Sequence, residues 1–105
     1  MVIKSSLKKN IKRLCQEVEL KGYSIDKAIL FGSTIRGKKK PNDIDIALFS
    51  KAFGKDRIDE MMLLNKIATK IDVNLELHPF HTSDINEKYS TLIAEIKKGQ
   101  VLKFV

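Results

Sequence analysis

The sequence predicts one small α/β domain, a short β-sheet with helices packed on one face. Three observations predict it. Stretches 3–21, 56–70 and about 89–98 carry apolar residues at spacings of three and four, the period of an amphipathic helix. Stretches 23–31, 43–49 and 72–77 are short, apolar and bounded by turn residues, as strands are. The chain has 105 residues, 43% of them hydrophobic, which suits a single unit spanning 1–105 with a modest core. That length leaves little room for a second, substrate-binding domain.

In residues 3–21 the stripe is Ile3, Leu7, Ile11, Leu14 and Val18. Ser5 or Ser6 is placed to cap the start and Gly22 to stop the end. Lys8, Lys9, Lys12 and Arg13 gather on the opposite side. Cys15 sits near the stripe and reads as a small buried packing residue, with no His or Asp set beside it to activate a thiol. Tyr23 to Phe31 is the first strand, with Asp26 and Lys27 on its exposed edge. Residues 33–42 form a loop and short helix, broken by Gly37 and Pro41-Asn42.

The second strand alternates strictly. Ile44, Ile46 and Leu48 take one face; Asp43, Asp45 and Ala47 take the other. After a polar loop, Asp56 reads as the N-cap of the next helix, with Asp59 and Glu60 as surface acids near its first turn. Ile58, Met61, Met62, Ile67, Ala68 and Ile71 supply its buried stripe, with Asn65 at the margin. The Met pair reads as core filler. In the third strand Val73, Leu75 and Leu77 oppose Asp72, Asn74, Glu76 and His78. Pro79 is expected to end its ladder. Thr82 to Asp84 make a turn or cap. The last helix, about Tyr89 to Lys98, turns Leu92, Ile93 and Ile96 inward and stops at Gly99. Val101, Leu102, Phe104 and Val105 form an apolar tail suited to a short strand, to core packing or to an oligomer contact.

Chemistry concentrates between Ile29 and Phe49. Asp43 and Asp45 point the same way, their Cα atoms about 7 Å apart. Aspartate disfavours strands, so a pair of them in an apolar strand calls for a reason. Hard carboxylate oxygens suit Mg²⁺, and such a pair can bridge two ions about 3.5–4 Å apart. The preceding strand ends at Gly32, which lets backbone approach a ligand closely. Ser33 and Thr34 add hydroxyls, and Arg36, Lys38, Lys39 and Lys40 add positive charge. Phosphate ligands on one side and a carboxylate pair on the other describe a nucleoside triphosphate site. The competing reading of the lysine run is a solvated loop. If the apolar face of the third strand packs on the helices, Glu76 turns toward the aspartates as a third carboxylate, with Asp72 the alternative. His78 shares that face. His78 and His81 together invite a zinc reading, but no Cys or acidic set stands at tetrahedral spacing.

These residues carry a resemblance. GSTIRGKKKPNDIDIAL resembles the GS…DxD signature of the DNA polymerase beta-like nucleotidyltransferase superfamily, closest to its minimal nucleotidyltransferase branch. IDVNLELHPF resembles the strand that carries the third carboxylate, and EIKKGQVL the C-terminal helix and exit. The resemblance runs from about residue 25 onward. It implies a nucleotidyltransferase-like fold with a mixed sheet. It implies two Mg²⁺ ions held by Asp43, Asp45 and Glu76, and ATP as nucleotide donor. Gly32 and Ser33 would bind its phosphates, with Arg36 beside them. Many relatives place an aspartate at the third position, so Glu76 is a departure. Three neighbouring carboxylates repel one another, and divalent cations remove that repulsion. An acceptor hydroxyl would attack the α-phosphorus in line, and pyrophosphate would leave.

The resemblance implies no particular acceptor. The minimal branch is frequently paired with a HEPN-domain ribonuclease toxin and resembles the antitoxin of that pair. The leading expectation is an antitoxin that transfers AMP to a hydroxyl, expected to be a tyrosine, of its partner. One alternative is a non-enzymatic antitoxin that masks the toxin by binding. The other is transfer to RNA ends or a small molecule, to which a net charge of +7 lends support. A homo-oligomer is a further expectation. The single cysteine excludes an internal disulfide and suits a reducing, cytoplasmic setting. No apolar run approaches the roughly 18 residues of a membrane span, and the N-terminus lacks a signal-peptide core.

Overall fold

Leu7, Ile11, Leu14 and Val18 fall on one side of a helix because their spacing matches its turn. The computed structural model describes residues 5–31, 44–72 and 74–102, and in it that helix is α1, Ser5–Leu20. Ile11, Leu14 and Val18 are fully buried and Leu7 packs at the margin. The helix ends where Gly22 adopts φ +99°, a conformation that side chains resist. The N–H of Gly22 donates to the carbonyl of Glu19 (3.0 Å), and that of Tyr23 to Val18 (3.4 Å). This pair of bonds satisfies carbonyls that the last turn would leave open.

The first strand starts later than its sequence suggests. Tyr23 stacks on Phe53, ring centroids 5.0 Å apart, and the N–H of Ile25 donates to the Glu19 carboxylate. Tyr23 and Ile25 are thus held by the end of α1 and by Phe53, while the N–H of Asp26 donates to the Phe49 carbonyl (2.8 Å) and leads into β1, Lys27–Phe31.

The remaining elements are β2 (Ile44–Phe49), α2 (Arg57–Ile71), β3 (Leu75–Phe80), a 3₁₀ turn (Thr82–Asn86), α3 (Thr91–Lys97) and β4 (Gln100–Val101). The sheet is mixed, in the order β3-β2-β1-β4. β1 runs antiparallel to β2 and β4, and β2 runs parallel to β3. A parallel pair needs a crossover, and α2 is that connection. The sheet buries both faces, which is why KAILF and IALF read as near-continuous apolar runs. Ala28, Leu30, Ile46, Leu48, Leu75 and Leu77 pack under α1 and α2. Ile29, Phe31, Ala47, Phe49 and Phe80 form a second cluster with Ile93 and Ile96 of α3. The two long helices share one face, and α3 closes part of the other.

Several expectations need correction. In α2 the buried residues are Glu60, Leu64, Ile67 and Ala68. Ile58 and Met62 are 73% and 65% exposed, so Met62 is not core filler. The N-cap Asp56 accepts the N–H of Asp59 as expected, and the packing of α2 on the sheet turns Leu64, not Met62, inward. Glu60 is no surface acid. Its carboxylate accepts the N–H groups of Gly54 (2.9 and 3.1 Å), Lys55 (3.2 Å) and Asp56 (3.2 Å), folding the preceding loop over itself.

Pro79 does not end β3. The bonds from Ile44 N–H to Asn74 and from Ser50 N–H to Phe80 show that the even-numbered residues of β3 face β2. Pro79 therefore turns its missing donor to the outside of an edge strand, where nothing is lost. The last helix is shorter than expected, with Ser90 as N-cap, Tyr89 exposed and Leu92 43% exposed. Gly99 leads into β4. A Cβ there would lie 2.4 Å from the Leu30 carbonyl oxygen, so only glycine permits this approach to β1. Leu102 is buried, and residues 103–105 lie outside the described set, as do residues 1–4. Among the described residues no helix is long and apolar enough to cross a membrane.

Candidate active site

Alternation in β2 puts Ile44, Ile46 and Leu48 toward the long helices, so Asp45, Ala47 and Phe49 take the other face. In β3 the same rule sends Leu75 and Leu77 to the helices and Glu76, His78 and Phe80 to the face of Asp45. The pairing then decides who stands beside whom. Phe31, Asp45 and Glu76 are successive partners across β1, β2 and β3, and Ala47 pairs with His78. Two carboxylates from different segments therefore stand side by side.

His78 leans back toward Asp45. Its Nε2 lies 3.3 Å from Asp45 Oδ1. A carboxylate offers only lone pairs, so Nε2 donates to it in the tautomer that carries its proton there. The imidazole also meets the Phe31 ring edge to face, centroids 5.3 Å apart at 63°. Both members of the pair are partly covered, with side chains 25% and 20% exposed for His78 and Asp45. Glu76 is exposed. Ligand atoms of Asp45, Glu76 and His78 all fall within 4.8 Å of one another. Among the described residues no lysine or arginine neutralises either carboxylate. Two adjacent carboxylates and an imidazole are a donor set that fits a divalent ion.

Not every expected site residue can be set into this geometry. Gly32, Ser33, Arg36 and Asp43 lie outside the described residues. Asp72 is absent from this face. It caps the end of α2, its N–H donating to Ala68 and its Oδ1 accepting from Asn74. The histidines do not act together. The ring of His81 accepts the N–H of Ser83 and starts the 3₁₀ turn. Cys15 is buried beneath α1, away from the carboxylates, and burial, with a smaller contribution from Glu19, pushes its thiol up to about 12. The contact sequence reasoning missed is the one from His78 to Asp45. The shared face of Glu76 and His78 is the only signal for it, because the register between β2 and β3 is not written locally.

Comparison with known proteins follows the same lines. The family described as "Polymerase beta, Nucleotidyltransferase" matches residues 9–103. A crystal structure from Sulfolobus solfataricus, provisionally named a nucleotidyltransferase, superposes with a TM-score of 0.58 at 22% identity, covering 81% of each chain. At that identity the likeness is one of fold. No curated protein sequence matches.

Proposed function

This chain belongs to the polymerase beta nucleotidyltransferase family, and we propose that it transfers AMP from ATP to a hydroxyl of a partner protein. The observation that carries the chemical part is the register that sets Asp45 beside Glu76 on one sheet face. Asp45 and Glu76, joined by Asp43, would hold Mg²⁺. A divalent ion so held supplies charge neutralisation for the triphosphate and activation of the attacking hydroxyl. Gly32, Ser33 and Arg36 would bind the phosphates. The His78 imidazole lies against Asp45 and packs edge to face on the Phe31 ring. Phe31, the cross-strand partner of Asp45, and Ala47 are buried on this face. The acceptor oxygen bonds to the α-phosphorus and gives up its proton to solvent, the bond from the α-phosphorus to the bridging oxygen breaks, and pyrophosphate departs with that oxygen.

The acceptor in this proposal is a HEPN-domain toxin, with the chain as its antitoxin. What supports it is the likeness of GSTIRGKKKPNDIDIAL and IDVNLELHPF to the minimal branch of the family. The test is a transfer assay on the chain purified with the protein encoded beside it. ATP and Mg²⁺ are added and the intact mass of both proteins is recorded. An AMP-sized gain on the partner, absent with D45N, is the expected result. A tight complex with no mass change favours masking by contact. Neither complex nor mass change points to RNA ends or a small molecule as acceptor.

A further inference from the structure

His78 is a part of this site that the carboxylate chemistry alone does not need. We propose that its Nε2 is a direct ligand of the ion held by Asp45 and Glu76, and that it biases the site toward Mn²⁺ and Co²⁺ over Mg²⁺. The inference rests on the reading of Asp45 and Glu76 as ion ligands.

The distance suits a pair of ligands as well as it suits a long hydrogen bond. A charge-assisted N–H···O contact ordinarily measures about 2.7–2.9 Å. The 3.3 Å between Nε2 and Oδ1 is longer. Two donor atoms bound to one ion at about 2.1 Å, at angles of roughly 90–110°, lie about 3.0–3.4 Å apart. The observed separation matches that of two neighbouring ligands. The Glu76 carboxylate completes the group within 4.8 Å, and rotation about its exposed side chain can bring it closer. The ring is also held in place, edge to face on Phe31, the cross-strand partner of Asp45. A neutral imidazole carries one N–H. Moving it from Nε2 to Nδ1 frees the Nε2 lone pair without changing the charge of the ring.

The consequence is selectivity. Oxygen-only sites suit Mg²⁺, whereas imidazole nitrogen adds affinity for transition ions. An Asp-Glu-His set should therefore hold Mn²⁺, and more tightly Co²⁺, in preference to Mg²⁺.

Mn²⁺ itself is the probe. Pulsed EPR of the whole chain loaded with Mn²⁺ should show coupling to a directly bound nitrogen. The signal should change when the histidines carry ¹⁵N, which needs no variant and so does not depend on any variant folding. H78F keeps a ring against Phe31 but removes the nitrogen. It should abolish the coupling and weaken Mn²⁺ and Co²⁺ binding about tenfold or more, with far less change for Mg²⁺. H81N should leave the coupling in place. Mn²⁺ bound without nitrogen coupling, yet displaced by D45N or E76Q, would overturn the ligand role of His78 and leave the carboxylate reading intact. Mn²⁺ binding unchanged in D45N and E76Q would overturn both.

Discussion

Asp45 and Glu76 face each other across the parallel pairing of β2 and β3, on the sheet face opposite the two long helices. Like charges held this close cost stability, and among the described residues no lysine or arginine offsets them. Removing one charge should therefore separate function from folding. D45N and E76Q should each lower nucleotidyl transfer about a hundredfold or more, while the melting temperature holds or rises. Parallel kinetic and thermal measurements check this. A loss of transfer that tracked a loss of folding would contradict it.

Glu60 anchors the loop before α2 through three backbone N–H groups. It is only 3% exposed, so water cannot replace the carboxylate. E60A should cost about 3 kcal/mol, because buried donors lose a charged acceptor. E60Q retains one acceptor oxygen and should cost roughly half as much. The adjacent D59A, on the exposed side, should leave stability almost unchanged. Urea denaturation of the three variants gives the ranking.

Cys15 should behave as an inert thiol. Its folded value of about 12 lies above the ordinary 9.0 because burial disfavours the thiolate. The unfolded chain therefore loses this proton first as pH rises. The stabilising contribution is complete below about pH 9 and is lost as pH rises through about 12. The difference between the alkaline stability profiles of the native chain and C15A should show this fall. A thiol reagent at neutral pH should label Cys15 only after denaturation.

Leu64 and Met62 differ by two positions and by almost their whole exposure. L64A should cost about 2–5 kcal/mol through a cavity under the sheet. M62A should change stability by no more than about 0.5 kcal/mol. Chemical denaturation of the pair tests which face of α2 is core.

Much of this was legible in the residues themselves. The stripe of α1 and the cap at Asp56 are local events, decided by neighbours within a turn or two. Alternation in β2 likewise assigns Asp45 to the face away from the long helices. Errors arose where a local pattern admits two solutions. Residues 58–71 contain enough apolar side chains for two helical faces, and the docking of α2 on the sheet chose Leu64 over Met62. The acid at position 60 reads as solvated until the loop 54–56 folds onto it. The proline at 79 reads as a stop until the strand is known to lie at an edge.

Local pattern was enough for the helical period of α1, for the apolar strand β1 and the acidic strand β2, and for the face that Glu76 takes. Which residues share the site depends on contacts between distant segments. Asp45 and His78 are 33 residues apart, and α2 must cross over the sheet before β3 can pair with β2. Alternation says which face a side chain takes, but not what stands opposite. That choice belongs to the packing of α2 and to the parallel register. It put Glu76 beside Asp45, left Asp72 in a helix cap, and brought the imidazole of His78 to the carboxylate.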